Sequence, residues 1–176
     1  TRHAHFVLDG SGPATFTPPS LEDWPKVSWS PSAQATRVNL DTLTPQEVAS
    51  WKPSQTLLLN GKMLTGRDAA HKRITDMIAK GEKLPVDFTN KLIYYVGPVD
   101  PVREEVVGPA GPTTSRRMDK FMETMLGKTG LIGSIGKSER GAQTVETIKK
   151  HGGAHLIAVG GAAYLVSKAV KASKVL

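Results

Sequence analysis

The sequence predicts an α/β domain preceded by an arm, and three observations carry that expectation. From about residue 36 onward, short apolar runs alternate with helical patterns. Glycines stand just past three of the helical segments, as C-terminal stops do. Ahead of that point, "DGSGPATFTPPSLEDWPKVSWSPS" carries repeated Pro, Ser and Gly with no sustained period, which reads as an ordered arm or an inter-domain connector over residues 1–35. The domain proper is assigned to residues 36–176. Trp24, Trp29 and Trp51 all lie early, so the arm is expected to pack on something.

The elements follow in order. Pro45 to Trp51 is expected to be a short helix, with Thr44 as cap, Pro45 first and Glu47 third. Thr56 to Asn60 reads as a strand. A helix at about Asp68 to Lys80, capped by Thr65, ends at Gly81. Leu92 to Val96 is a strand, and Thr114 to Leu126 a helix ending at Gly127. Leu131 to Ile135 is a strand, followed by a helix from Glu139 to Lys150 that Ser138 caps and Gly152 stops. A strand from Leu156 to Val159 and a helix from Ala162 to Ala172 complete the pattern, and no internal repeat is evident.

Composition bounds the function. At 176 residues the chain suits one domain, or one domain plus a tail, and can bury its own core. With 39% hydrophobic residues and no apolar run near about 18 residues, it is expected to be a soluble protein with no membrane span. It opens on Thr1 without a signal pattern, which is expected of a processed form or an excised fragment. No cysteine is present. The chain therefore has no disulfide framework and cannot by itself ligate an iron–sulfur cluster through thiolates, and its composition is consistent with a reducing compartment. A net charge of +7 and a pI near 9.7 favour anionic partners. The basic residues are spread along the chain and aromatics are only 6%, so no nucleic-acid partner is expected.

Three helix starts carry cations where the helix dipole disfavours them. Arg67 follows "LTG", Arg116 and Arg117 follow a cap at Thr113 or Thr114, and Lys137 directly precedes Ser138. Each placement is unfavourable by roughly 0.3 to 1 kcal/mol unless something compensates. An anion at a shared site would do so, meeting guanidinium forks and free backbone N–H groups. Thr113 and Arg117 are four apart and would share a helix face, whereas Arg116 would point about 100° away. In an open α/β sheet such ligands collect at the carboxyl ends of the strands, where Lys137 is expected. The alternative for each arginine is a solvated side chain. His71, four residues after Arg67, either lines the same site or is a capped or partly exposed histidine.

Other chemistries find little support. Gly130, Gly133 and Gly136 precede Lys137 and Ser138 at the wrong spacing for a Walker motif, and "VGGAAYLVSKAV" lacks a full dinucleotide fingerprint. The five histidines form no ligand-type cluster, and there is no Gly-x-Ser-x-Gly elbow.

Four stretches, "NGKMLTGRDAAHKRI", "IYYVGPVDPVREEVVGPAGPTTSRRMDKF", "GLIGSIGKSERG" and "AVGGAAYLVSKAV", together with "FVLDGSGPATFTPPSLEDWP" in the arm, resemble the C-terminal domain of class I fumarate hydratases, the iron–sulfur fumarases. That domain is related to the beta subunit of L-tartrate dehydratase. The resemblance implies a swivelling β/β/α domain that presents substrate residues to a separate N-terminal cluster domain. It implies reversible hydration of fumarate to L-malate at a [4Fe–4S] cluster ligated outside this chain, with one iron free of cysteine. By position, the family's substrate arginines fall on Arg67 and Arg117, its substrate lysine on Lys137, and a threonine proposed to take part in proton abstraction on Thr113. A threonine hydroxyl is a poor base at its ordinary pKa, so the alternative role of Thr113 is hydrogen bonding to substrate while an Asp or His elsewhere takes the proton.

The sequence departs from the family in lacking the cluster cysteines and in stopping at "KASKVL", where the family continues. An isolated domain truncated at its C-terminus is expected, inactive as a hydratase alone. The resemblance also implies a homodimer for the full enzyme and a cytoplasmic location, with the mitochondrion as the alternative. Two further functions fit the same cations: dehydration of tartrate or another hydroxy-dicarboxylate, and a non-catalytic anion-binding or nucleic-acid-binding module.

Overall fold

Two parallel sheets and five α-helices make up the part of the chain that the computed structural model describes, residues 34–101 and 104–176 together with Gly10 and Ser20. The chain divides into two compact units, Thr1–Ala33 and Gln34–Leu176. The expectations for the arm, including Trp24 and Trp29, lie outside the described residues.

In the second unit, Thr36–Asn39 (β1) pairs in parallel with Leu57–Asn60 (β2), and the helix Pro45–Ser50 (α1) crosses between them. Leu64–Thr65 (β3), Leu92–Tyr94 (β4), Gly133–Gly136 (β5) and Ala154–Ile157 (β6) form a four-stranded parallel sheet in that order. Parallel neighbours need a crossover, and each has a helix: Asp68–Ala79 (α2) leads to β4, a 3₁₀ helix Ser115–Phe121 with Met122–Thr129 (α3) leads to β5, and Ala142–Lys150 (α4) leads to β6. Ala163–Ala169 (α5) follows β6.

The core lies on both faces of the larger sheet. Side chains alternate along a strand, so Leu92, Tyr94 and Val96 face the β1–β2 side with Val38, Leu40, Val48 and Ile135. Ile93 and Tyr95 face the helices, against Ile74, Met118, Phe121, Met122 and Met125. This is why "LIYYV" is apolar without alternation: a central parallel strand is covered on both sides. Each such buried side chain stabilises the fold by up to roughly 1.5 to 3 kcal/mol. Trp51 is half-buried against the second of these clusters.

Several helix ends follow local chemistry. Thr44 Oγ1 accepts the Glu47 N–H at 3.2 Å, and Pro45 opens α1. Gly81 and Gly152 adopt left-handed φ values of +69° and +62°, and the N–H groups of Glu82 and Gly153 turn back to the carbonyls of Met77 and Ile148.

Other boundaries differ from the sequence expectation. The segment expected as one helix from Thr114 is a 3₁₀ helix that becomes α-helical at Met122. Gly127 does not stop it; the helix runs on to Gly130, at φ +77°. Thr65 lies in β3 rather than capping α2, and Ser138 sits at φ +65° with its hydroxyl turned to the Lys137 carbonyl. The start of α4 is capped from outside the helix, since Asp119 Oδ2 accepts the Gly141 N–H at 2.8 Å. β1 and β3 were not anticipated: "TRVN" and "LT" are too short and too polar to signal a strand without their partners.

Candidate functional site

The candidate site is built at the carboxyl ends of β3, β4 and β5. Beyond Tyr94 and Ile135 the two central strands part, and Thr113 to Ser115 inserts between their continuations. The Thr113 N–H donates to the Tyr95 carbonyl at 2.8 Å, and the Thr113 carbonyl accepts the Lys137 N–H at 3.0 Å. Ser115 N–H then donates to the Lys137 carbonyl at 2.9 Å, making an isolated parallel bridge of Thr114 with Lys137. Thr113, half-buried, and Lys137, exposed, are thereby neighbours although 24 positions separate them in sequence. The insertion needs room: a Cβ on Gly136 would collide with Ser115 Oγ and lie 2.9 Å from the Tyr95 ring.

Arg67 reaches the same edge from β3. The Gly66 N–H is held by the Tyr94 carbonyl at 3.1 Å, and the Arg67 guanidinium lies along Gly97, where a Cβ would stand 3.3 Å from its Cζ. Arg117 arrives from the 3₁₀ helix. Its Nη2 donates to Asp68 Oδ2 at 2.8 Å, so the residue beside Arg67 anchors the second arginine. The structure brings Arg67, Thr113, Arg117 and Lys137 to one edge of one sheet. It does so differently from the sequence expectation, because Thr113 precedes the helical turns and shares no helix face with Arg117.

Contrary to expectation Lys137 is not at a helix start, since α4 begins only at Ala142, and for Arg117 the conflict is answered within the chain by Asp68. Three cations against that one carboxylate leave an excess of two positive charges among these residues. Arg67, Arg117 and Lys137 are all exposed, so the edge is an open shelf. Surface hollows lie elsewhere, one beside Glu104, Tyr164 and Lys168 and one along α2, and neither is lined by these residues.

His71 is fully buried and lies beneath the shelf rather than lining it. Its Nδ1 is 2.8 Å from the Arg67 carbonyl, which also accepts the His71 backbone N–H at 3.0 Å. Burial holds its pKa below the ordinary value, so the ring is neutral with the proton on Nδ1, packed between Tyr95 and Phe121. His155, opposite Ser134 in the sheet and 3.0 Å from its hydroxyl, is pushed down to about 4, first by burial and then by the Arg140 charge.

Sequence reasoning missed Asp68, Asp119 and Arg140. Arg140 has a side chain only 2% exposed and an Nε 2.8 Å from Asp119 Oδ1. The approach lies off the hydrogen-bond direction, so the two meet as charges. No local signal separates this arginine from the solvated ones around it. Asp68, immediately after Arg67, shows in the sequence as the acidic residue of its helix start, but nothing there connects it to Arg117.

Among the described residues no group of three or more His, Cys, Asp and Glu could hold a metal ion, and no helix is long and apolar enough to cross a membrane.

Ligands of open α/β sheets collect at the carboxyl ends of the strands, and that is the edge where this domain carries Arg67, Arg117 and Lys137. Residues 10–176 match the family model described as Fumarase C-terminus, and the chain belongs to that family. It is similar to Fumarate hydratase 2 of Leishmania major, 33% identical over 153 residues, covering 84% of this chain and 26% of that protein. It is similar to Fumarate hydratase class I, aerobic, of Escherichia coli strain K12, 33% identical over 138 residues, covering 77% and 25%. It is also 36% identical over 131 residues to a protein of Methanocaldococcus jannaschii provisionally named L(+)-tartrate dehydratase subunit beta, covering 73% and 67%. The chain thus spans about a quarter of the length of the fumarate hydratases it matches.

Proposed function

We propose that this chain is the substrate-holding domain of a class I fumarate hydratase, a swivelling β/β/α domain that works against a separate N-terminal cluster domain. The single observation that carries the reading is the convergence of Arg67, Thr113, Arg117 and Lys137 on one open sheet edge with two excess positive charges. A dicarboxylate dianion matches that excess. The guanidinium forks of Arg67 and Arg117 bind its carboxylates, and Lys137 adds a third cation, each charged hydrogen bond being worth roughly 1.5 to 3 kcal/mol. An exposed shelf cannot exclude water alone, and a second domain closing over it supplies the missing wall.

Thr113 is the residue at this edge whose hydroxyl and backbone both bear on the site. Its main chain is fixed on two sides, by the Tyr95 carbonyl and the Lys137 N–H. Its role is either that of a base activated from the other domain or that of a hydrogen-bond partner while another residue takes the proton. With no cysteine, this chain offers no thiolate to the [4Fe–4S] cluster proposed for the enzyme. That cluster is ligated in the other domain. The cytoplasm is the proposed compartment, with the mitochondrion as the alternative, and a homodimer the proposed assembly.

The second reading is dehydration of tartrate, favoured by the similarity to the Methanocaldococcus jannaschii protein. The test is turnover of fumarate, L-malate and tartrate by the protein joined to its cluster domain, reconstituted anaerobically. Fumarate hydration that collapses in Arg117→Ala supports the first reading, tartrate turnover alone supports the second, and turnover indifferent to Arg117 sinks both. The chain by itself is expected to hydrate nothing.

A further inference from the structure

We infer that the pair of the buried Arg140 side chain with the half-buried Asp119 is a clasp that sets the spacing between Arg117 and Lys137, making Arg140 and Asp119 positioning residues for the anion site. The inference rests on the proposed function for what the site holds, though the clasp itself stands on geometry.

Asp119 lies two residues after Arg117, and Arg140 three after Lys137. The two segments have no covalent reason to keep a fixed distance. The clasp joins them twice: Arg140 Nε sits 2.8 Å from Asp119 Oδ1, and Asp119 Oδ2 accepts the Gly141 N–H at 2.8 Å. It reaches the third segment as well. Arg140 Nη1 donates to the Tyr95 hydroxyl at 3.2 Å, and its Cζ lies 5.4 Å from the Tyr95 ring centroid. The Tyr95 carbonyl is the group that holds Thr113. One buried arginine is therefore in contact with Asp119, two residues after Arg117, and with Tyr95, whose carbonyl holds Thr113, while itself lying three residues after Lys137.

Stability does not explain it. Burying a guanidinium is costly, and replacing a buried ion pair by apolar residues of similar size is often neutral or stabilising. The best-attested use of such a pair is to fix a register. Among the described residues Arg140 Nη2 is buried without a hydrogen-bond partner, a cost that an apolar side chain at this position would avoid. Two cations that must meet opposite ends of one small ligand need a spacing held to within about 0.5 Å.

The test uses the enzyme joined to its cluster domain, comparing Arg140→Met, Asp119→Asn/Arg140→Met, Arg140→Lys and Arg117→Ala. Misplacement of this kind is expected to raise KM for the dicarboxylate about tenfold to a hundredfold in Arg140→Met. The double variant removes both charges, so its Tm returns toward wild type while its KM stays high. Recovery of KM together with Tm, or wild-type KM in a stably folded Arg140→Met, would overturn the clasp. Arg140→Lys keeps the charge but not the fork and is expected to rescue Tm more than KM. If Arg117→Ala leaves KM unchanged, the proposed function fails rather than the clasp. The clasp is then judged by amide hydrogen exchange: Arg140→Met must speed exchange in both 113–121 and 137–141, and acceleration in one alone overturns it.

Discussion

The guanidinium of Arg117 holds the carboxylate of Asp68 at 2.8 Å, joining the start of the 3₁₀ helix to the start of α2 across 49 positions of sequence. Both side chains are substantially exposed, at 53% and 37%. Replacing Asp68 by Asn is therefore expected to cost under about 1 kcal/mol of unfolding free energy, and less as salt is added. Urea titrations at low and high ionic strength check this; a loss that persists in high salt would mean the contact is not chiefly electrostatic.

Arg117→Ala is expected to lower kcat/KM of the assembled enzyme by at least about tenfold, from the loss of one charged hydrogen bond worth roughly 1.5 to 3 kcal/mol. Its stability should move little, because its ion pair is exposed. Steady-state kinetics and a thermal melt on the same preparation separate the two effects.

Gly136→Ala places a methyl group onto Ser115 Oγ and 2.9 Å from the Tyr95 ring, both buried. The inserted segment must shift, at a cost of roughly 1 to 3 kcal/mol. A lowered urea midpoint with an unchanged slope is the expected result, and an unaltered midpoint would show that the insertion is looser than the packing indicates.

Stability should fall on acidification through the buried histidines. His155 has a folded pKa of about 4 against an ordinary 6.5. In that window the unfolded chain binds more protons than the folded one, so stability rises with pH. The contribution is fully present above about pH 6.5 and is lost as pH falls toward 4, on the order of 3 kcal/mol in all. His71, also lowered by burial, acts in the same direction. Unfolding midpoints between pH 4 and 7 in wild type and His155→Gln test this, the variant being expected to show the shallower slope.

Sequence alone determined the elements whose cause is local. Thr44 with Pro45 and Glu47 starts a helix because the cap is made within four residues, and Gly81 and Gly152 end theirs because a left-handed turn costs least at glycine. The apolar run around Ile93 marked a strand, and Arg67, Arg117 and Lys137 stood out as cations at segment starts. Tertiary structure decided what depends on partners far along the chain. β1 and β3 exist as strands only through β2 and β4, the cap of α4 comes from Asp119, and Thr113 meets Lys137 because the central strands part and leave their backbone groups to be paired by an inserted segment. Buried polar groups must find partners wherever the fold supplies them. Asp119 for Arg140 is such a partner, and neither it nor the exposed pairing of Asp68 with Arg117 carries a sequence period that would announce it.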